Sequence, residues 1–349
     1  MATDSSAPQA AKVRLPYYDN VKFFLIVCVV IGHIIKFGPM DTASEARGLG
    51  VFIYSYHMPL FIFLSGLFLK RERITFAGTF KRAAQYLALY ALAKVLRRAV
   101  PFMLGQPVTI DWLNEAGLPW FMFALAAYYV LAWALQWCNF YVVGIAALVG
   151  ALYAGNVPEI GDYLCLSRVI VFFPFFWLGH ALDARRVTEH FAQEGPKVAG
   201  VALILLAGYV CFTHADALFG YRDLFLGRSC YALSPIPRCT WMNRLCGYAV
   251  SLALSYAILA IMPQGHVPLM STYGTRTLQV YLLHYEVIEL LWVYGVLDAV
   301  LNCDKYGWVL FIPLAVLIAV VLSIPKLPKL PKLQVPDMFK RATSAADGS

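Results

Sequence analysis

Charge is what this sequence has least of. Only 14% of its 349 residues are Asp, Glu, Lys or Arg, and 60% are hydrophobic, where a soluble domain carries about 25% charge. With a mean hydropathy of +0.66, a water-soluble globule is excluded and the bilayer sets the fold. Catalytic signatures are scarce too. His-Glu-x-x-His, Cys-x-x-Cys, Gly-x-Ser-x-Gly and Gly-x-Gly-x-x-Gly do not occur, so zinc-site, serine-elbow and dinucleotide-fold readings have no motif to stand on. No Asn-x-Ser/Thr sequon gives a sign of N-glycosylation. The opening MATDSSAPQAAKVRLP lacks the apolar run of a cleavable signal peptide and reads as a short disordered tail, residues 1–16.

What is present is a succession of apolar runs. A span needs roughly 20 apolar residues. By that measure the fold class is all-α and polytopic, with about ten transmembrane helices near 18–38, 50–69, 83–104, 118–137, 139–155, 167–184, 197–213, 244–262, 277–298 and 307–324. Residues 17–324 form one membrane domain. The tail 325–349 carries IPKLPKLPKLQVP, whose period of three suits a polyproline II segment with its lysines on one edge. That edge either lies against anionic headgroups or is solvated.

The net charge of +8 follows membrane topology rather than a nucleic-acid surface. An even helix count puts both termini on one side. There the Lys and Arg of KRERITFAGTFKR (70–82), Arg185, Arg186, Lys197, Arg276 and the tail accumulate. The positive-inside rule makes that side cytoplasmic. Of eight cysteines, Cys165, Cys230, Cys239 and Cys303 fall on the other side, paired or free. The long loop near 214–243 is rich enough in aromatic residues to pack as a cap over an opening there.

Ionisable residues inside spans are costly and mark function by default. Lys22 and His33 are eleven residues apart in the first helix, close to three turns, so they share a face with about 16 Å of axial separation. Asp19 falls on the same side and can pair with Lys22. The stripe suits a long substrate with a charged head outside and a reactive end inside. Lys22 can also snorkel to the interface, and His33 can serve as a hydrogen-bonded core residue. Gly32 leaves room beside it.

In the second helix, Pro59 cannot donate to the carbonyl of Ser55 and predicts a kink. His57 sits at that kink, and Ser65 and Gly66 read as packing residues. Trp120 fits an interfacial anchor or a substrate contact. Arg168 opens the sixth helix, and His284, Glu286 and Glu289 lie together in the ninth.

Taken in order, these segments resemble the membrane-bound acyltransferase-3 family, in particular its fucose 4-O-acetylase-like acetyltransferase branch. YYDNVKFFLIVCVVIGH (17–33) matches the opening helix, with a basic residue, ten intervening residues and a histidine. YHMPLFIFLSGLF, LPWFMFALAAYY, RVIVFFPFFWLGHAL and GTRTLQVYLLHYEVI resemble later blocks, so the similarity spans roughly 17–320. The resemblance implies transfer of an acyl group from cytoplasmic acyl-CoA, acetyl-CoA above all, to a hydroxyl, usually of a carbohydrate. No metal and no nucleic acid is implied; the partners are the donor, the acceptor and the lipid bilayer.

By that resemblance His33, Lys22 and His57 are the catalytic candidates. Lys22, Arg71, Arg73, Lys81 and Arg82 are candidates for the CoA phosphates, and Asp19, Trp120, Arg168, His284 and Glu286 for substrate contacts. Where family members often carry Arg-x-x-Arg, this chain has TFKRAAQY, with Lys81 and Arg82 adjacent. A proton-coupled transporter relaying protons through His33, His57 and Glu286 is the rival class; it needs no acyl-CoA.

Overall fold

The computed structural model describes residues 15–38, 43–69, 74–115, 117–228, 230–304 and 306–325. Among them the chain is all-helical, with no strand. The elements are α1 (Pro16–Phe37), α2 (Ser44–Leu67), α3 (Phe76–Leu96), α4 (Ala99–Met103), α5 (Trp120–Ala134), α6 (Phe140–Tyr153), α7 (Leu166–Ala181) and α8 (Ala184–Phe191). There follow α9 (Glu194–Thr213), α10 (Ala215–Leu218), α11 (Tyr221–Leu226), α12 (Trp241–Ile261), α13 (Pro268–Tyr273), α14 (Thr277–Val293), α15 (Val296–Leu301) and α16 (Phe311–Ser323). The basic tail, Arg71 and Arg73 lie outside the described residues.

The ten predicted runs fall on helical chain, the third across α3 and α4 and the ninth across α14 and the start of α15, and boundaries move for local reasons. The third starts at Phe76 rather than 83, because the Thr75 side chain caps it by accepting from the Gly78 amide. Asn139 likewise accepts from the amides of Tyr141 and Val142 and separates α5 from α6. Four helices, α1, α2, α9 and α12, are long and apolar enough to cross a bilayer. The pair α7–α8, bent by 88°, makes a fifth if read as one broken span. The remaining apolar helices are shorter or less apolar. Outward faces are strongly hydrophobic, as at Val198, Leu205, Leu206 and Tyr209 of α9 and Tyr141, Ile145 and Val149 of α6. A face of that kind suits acyl chains better than water.

Cross-contacts define the two ends of the bundle. At the near end, Asn20 of α1 donates to Pro263 O and Gly265 O at 2.9 Å, and Arg276 at the start of α14 donates to Ser323 O at 2.7 Å. The first and last described helices therefore begin and end together. At the far end the long loop is fastened down. Tyr231 donates to Leu152 O (2.6 Å), Ser167 to Gly227 O (2.7 Å), and Arg47 pairs with Asp216 (2.6 Å). The expected cap is thus a packed layer. Beside it, Lys94 donates to the carbonyls of Asp111 and Asn114 and pairs with Glu115 at 3.1 Å. The Asp111 carboxylate accepts from the Asn114 side chain and from the amides of Asn114 and Leu113, which holds it down at about 2.

α2 passes through Pro59 as one continuous helix. The carbonyl that Pro59 cannot satisfy, that of Ser55, accepts instead from the Ser251 hydroxyl of α12 at 2.5 Å. α2 crosses α7 at close range. A Cβ on Gly66 would run into Phe176 O, and one on Gly179 into Phe63 O, so both positions need glycine for close approach. All eight cysteines are free thiols.

Candidate active site

The helical period places Lys22, Ile26, Val29, His33 and Lys36 on one line along α1, and all five face a single cavity of about 380 Å³. Tyr54, His57 and Phe61 of α2 face it from one side, and Tyr281 and Tyr285 of α14 from another. Trp120 of α5 and Arg168 and Phe172 of α7 close the far part, roofed by Arg222, Leu226 and Arg228 of the cap. The cavity therefore runs from Lys22 at the near end, past His33, to a cationic far end.

His33 is the reactive group best placed in it. Its Nδ1 is buried without a hydrogen-bond partner among the described residues. Its ring stands edge-on to Tyr285, centroids 5.2 Å apart, and 5.2 Å from the ring of His284. His284, 0% exposed, lies in the shell behind the lining; its Nδ1 is 2.8 Å from Val280 O, and its Nε2 is buried without a partner among the described residues. A carbonyl only accepts, so that Nδ1 carries the proton and Nε2 keeps its lone pair. His57 follows the same rule through Ile53 O at 2.8 Å, which fixes its tautomer. Tyr54 packs on Gly32, donating to its carbonyl at 3.3 Å and standing edge-on to His57.

The other predicted residues divide. Lys22 pairs with the buried Asp19 at 2.7 Å while its own side chain is 29% exposed and faces the cavity. Trp120 lines the cavity, stacked on Phe172 (5.3 Å) with the Arg168 guanidinium 5.2 Å from its ring centroid. Arg168 is 3% exposed and pairs with Asp162 at 3.3 Å. Glu286 is turned away from the cavity towards Arg97, 3.6 Å off, and Glu289 meets the same arginine at 3.5 Å. Lys81 and Arg82 are not among the lining residues; the Arg82 guanidinium lies 5.6 Å from the Tyr129 ring centroid. Lys36, Tyr54, Tyr285, Arg222 and Arg228 were not singled out from the sequence. Lys36 alone carried a signal, being three residues beyond His33 on the same stripe. Among the described residues no cluster of three His, Cys, Asp or Glu side chains forms a metal-type group.

Comparison with known proteins adds a family to this geometry. Residues 15–327 match the family model described as an acyltransferase domain. The chain belongs to this acyltransferase family. Its membership covers all the helices that build the cavity, so the site and the family signature occupy the same structure. The chain is also 26% identical over 238 residues to the nodulation protein NolL of Mesorhizobium japonicum, a match covering 63% of this chain and 62% of that protein. The chain thus spans under two thirds of the length of that curated relative. No solved structure matches the chain. These relations reach the family as a whole and do not single out the fucose 4-O-acetylase-like branch.

Proposed function

We propose that the protein moves an acyl group, an acetyl group first of all, from acyl-CoA to a hydroxyl of a carbohydrate or glycan, within the fucose 4-O-acetylase-like branch. One observation carries the reading: His33, with an unpartnered buried nitrogen, sits midway along a cavity that is open to a lysine at one end and roofed by a cap at the other. The bundle crosses the membrane ten times with both termini cytoplasmic, a reading supported by the start of α1 and the end of α16 lying at the near end.

In this reading the CoA phosphates rest at the near end, where Lys22 supplies the charge within the cavity and Arg71, Arg73, Lys81 and Arg82 supply it outside. The pantetheine arm follows the α1 stripe towards His33. The acceptor hydroxyl gives its proton to His33 as its oxygen attacks the thioester carbonyl. The C–S bond breaks, and the CoA thiolate takes that proton back. An acyl-imidazole on His33 gives the same balance in two steps, with CoA leaving before the hydroxyl attacks. His284 is a positioning residue, its Nε2 lone pair available to orient the His33 ring. His57 and Trp120 shape the acceptor side.

The rival transporter reading loses support from Glu286, which is paired with Arg97 outside the cavity lining. The test is radiolabelled acetyl-CoA given to purified protein. Consumption of thioester that disappears in a monodisperse His33→Ala variant supports the reading; undiminished turnover in that variant overturns it.

A further inference from the structure

Among the described residues, five cationic side chains line the cavity and no carboxylate does. Lys22 is at the near end; Lys36, Arg168, Arg222 and Arg228 gather at the far end. Two carboxylates stand behind this far wall among the described residues. Asp162 takes both Arg168 at 3.3 Å and Arg228 at 2.5 Å, and Asp223 takes Arg222 at 3.1 Å. The nearby Glu286 and Glu289 are engaged by Arg97, and Glu115 by Lys94. Four cations thus converge on one chamber against two carboxylates that do not enter it.

Gathering like charges in a partly enclosed, aromatic-walled space is unfavourable unless an anion completes it. A neutral sugar would leave that potential unanswered. Guanidinium groups also present forked donors matched to carboxylate and phosphate oxygens. Two of them, Arg222 and Arg228, stand on the cap, the layer over the chamber opposite the Lys22 mouth. Lys36 is exposed and lies three residues past His33, one turn from the reacting position.

We propose that the hydroxyl substrate of this site is an anionic sugar, bearing a carboxylate or a phosphate held by Lys36, Arg222 and Arg228 with Arg168 behind them, so that a neighbouring hydroxyl meets His33. This rests on the acyl-transfer reading. It adds what that reading leaves open, the charge class of the acceptor.

The experiment uses the purified full chain with labelled acetyl-CoA and three probes at equal ionic strength: glucose, glucuronate and glucose 1-phosphate. Acetylation of an acidic probe exceeds that of glucose by roughly tenfold, and the gap narrows as salt rises. The preferred acidic probe tells carboxylate from phosphate. In Arg222→Gln/Arg228→Gln the preference collapses while the KM for acetyl-CoA stays within about twofold. Equal or faster use of glucose overturns the proposal. So does a variant that weakens acetyl-CoA alone, which gives the cations to CoA instead.

A binding arm keeps the two readings separable. Thermal stabilisation of His33→Ala by glucuronate or glucose 1-phosphate, absent with glucose and lost in the arginine variant, supports the anion site even where no transfer occurs. Absence of any selective stabilisation overturns it, whatever becomes of thioester turnover.

Discussion

The imidazole rings of His33 and His284 stand 5.2 Å apart with planes inclined at 52°, and each carries a buried nitrogen without a partner among the described residues. His284 is anchored by its Nδ1 on Val280 O, so its buried Nε2 keeps a lone pair that can accept. That pairing leads to an ordered outcome. His33→Ala should lower acyl transfer by roughly 10²–10⁴-fold, the usual weight of a general base. His284→Phe, which keeps volume and removes the acceptor, should lower kcat about tenfold with the acetyl-CoA KM little changed. His284→Gln should recover part of that loss. A pure KM effect in His284→Phe would make His284 a binding residue.

Lys22 has two tasks to choose between. It faces the cavity and also neutralises Asp19, which is 4% exposed. Lys22→Ala should raise the acetyl-CoA KM roughly tenfold at low salt and less at high salt, because screening weakens the charge it supplied. To remove the Asp19 contribution, Asp19→Asn/Lys22→Ala is measured beside it. An unchanged donor KM in both would leave Lys22 as the partner of Asp19 alone.

The α1 stripe was legible in the sequence because one period, 3.6 residues per turn, fixes which side chains share a face. Lys22 and His33 needed no tertiary knowledge, and the cavity wall follows that line. Trp120 was ambiguous, since an interfacial anchor and a cavity wall use the same residue type. Arg222 and Arg228 could not be placed, because a loop's approach to a site depends on the helices it packs over. The setting of Glu286 was out of reach for the same reason: its partner Arg97 stands just past the end of α3, far along the chain. Pro59 predicted a kink and a carbonyl in need of a donor, but no local rule reports that the donor is Ser251 of another helix.

The Ser251–Ser55 contact is a test of that last point. Ser251→Ala should leave the Ser55 carbonyl buried and unpaired, a loss of about 1–3 kcal/mol read as a lower thermal midpoint. Pro59→Ala restores a backbone donor to the same carbonyl, so Ser251→Ala should cost less in that background. The coupling of the two changes in a double-mutant cycle measures the contact. Full additivity would show that the helix satisfies Ser55 without α12.

Glu286 decides between enzyme and proton relay. Arg97 lies 3.3 Å from the Tyr285 ring centroid, a ring that itself lines the cavity beside His33, and its Nη1 meets Glu286 and Glu289. The trio braces the wall without entering the chamber. Glu286→Gln should therefore leave acyl transfer within about threefold while lowering stability. Arg97→Met, which strands two carboxylates in a largely buried setting, should destabilise more than Arg97→Met/Glu286→Gln/Glu289→Gln, since an unpaired charge costs more than a neutral pair. A proton relay requires the opposite pattern: Glu286→Gln would abolish function at an unchanged thermal midpoint.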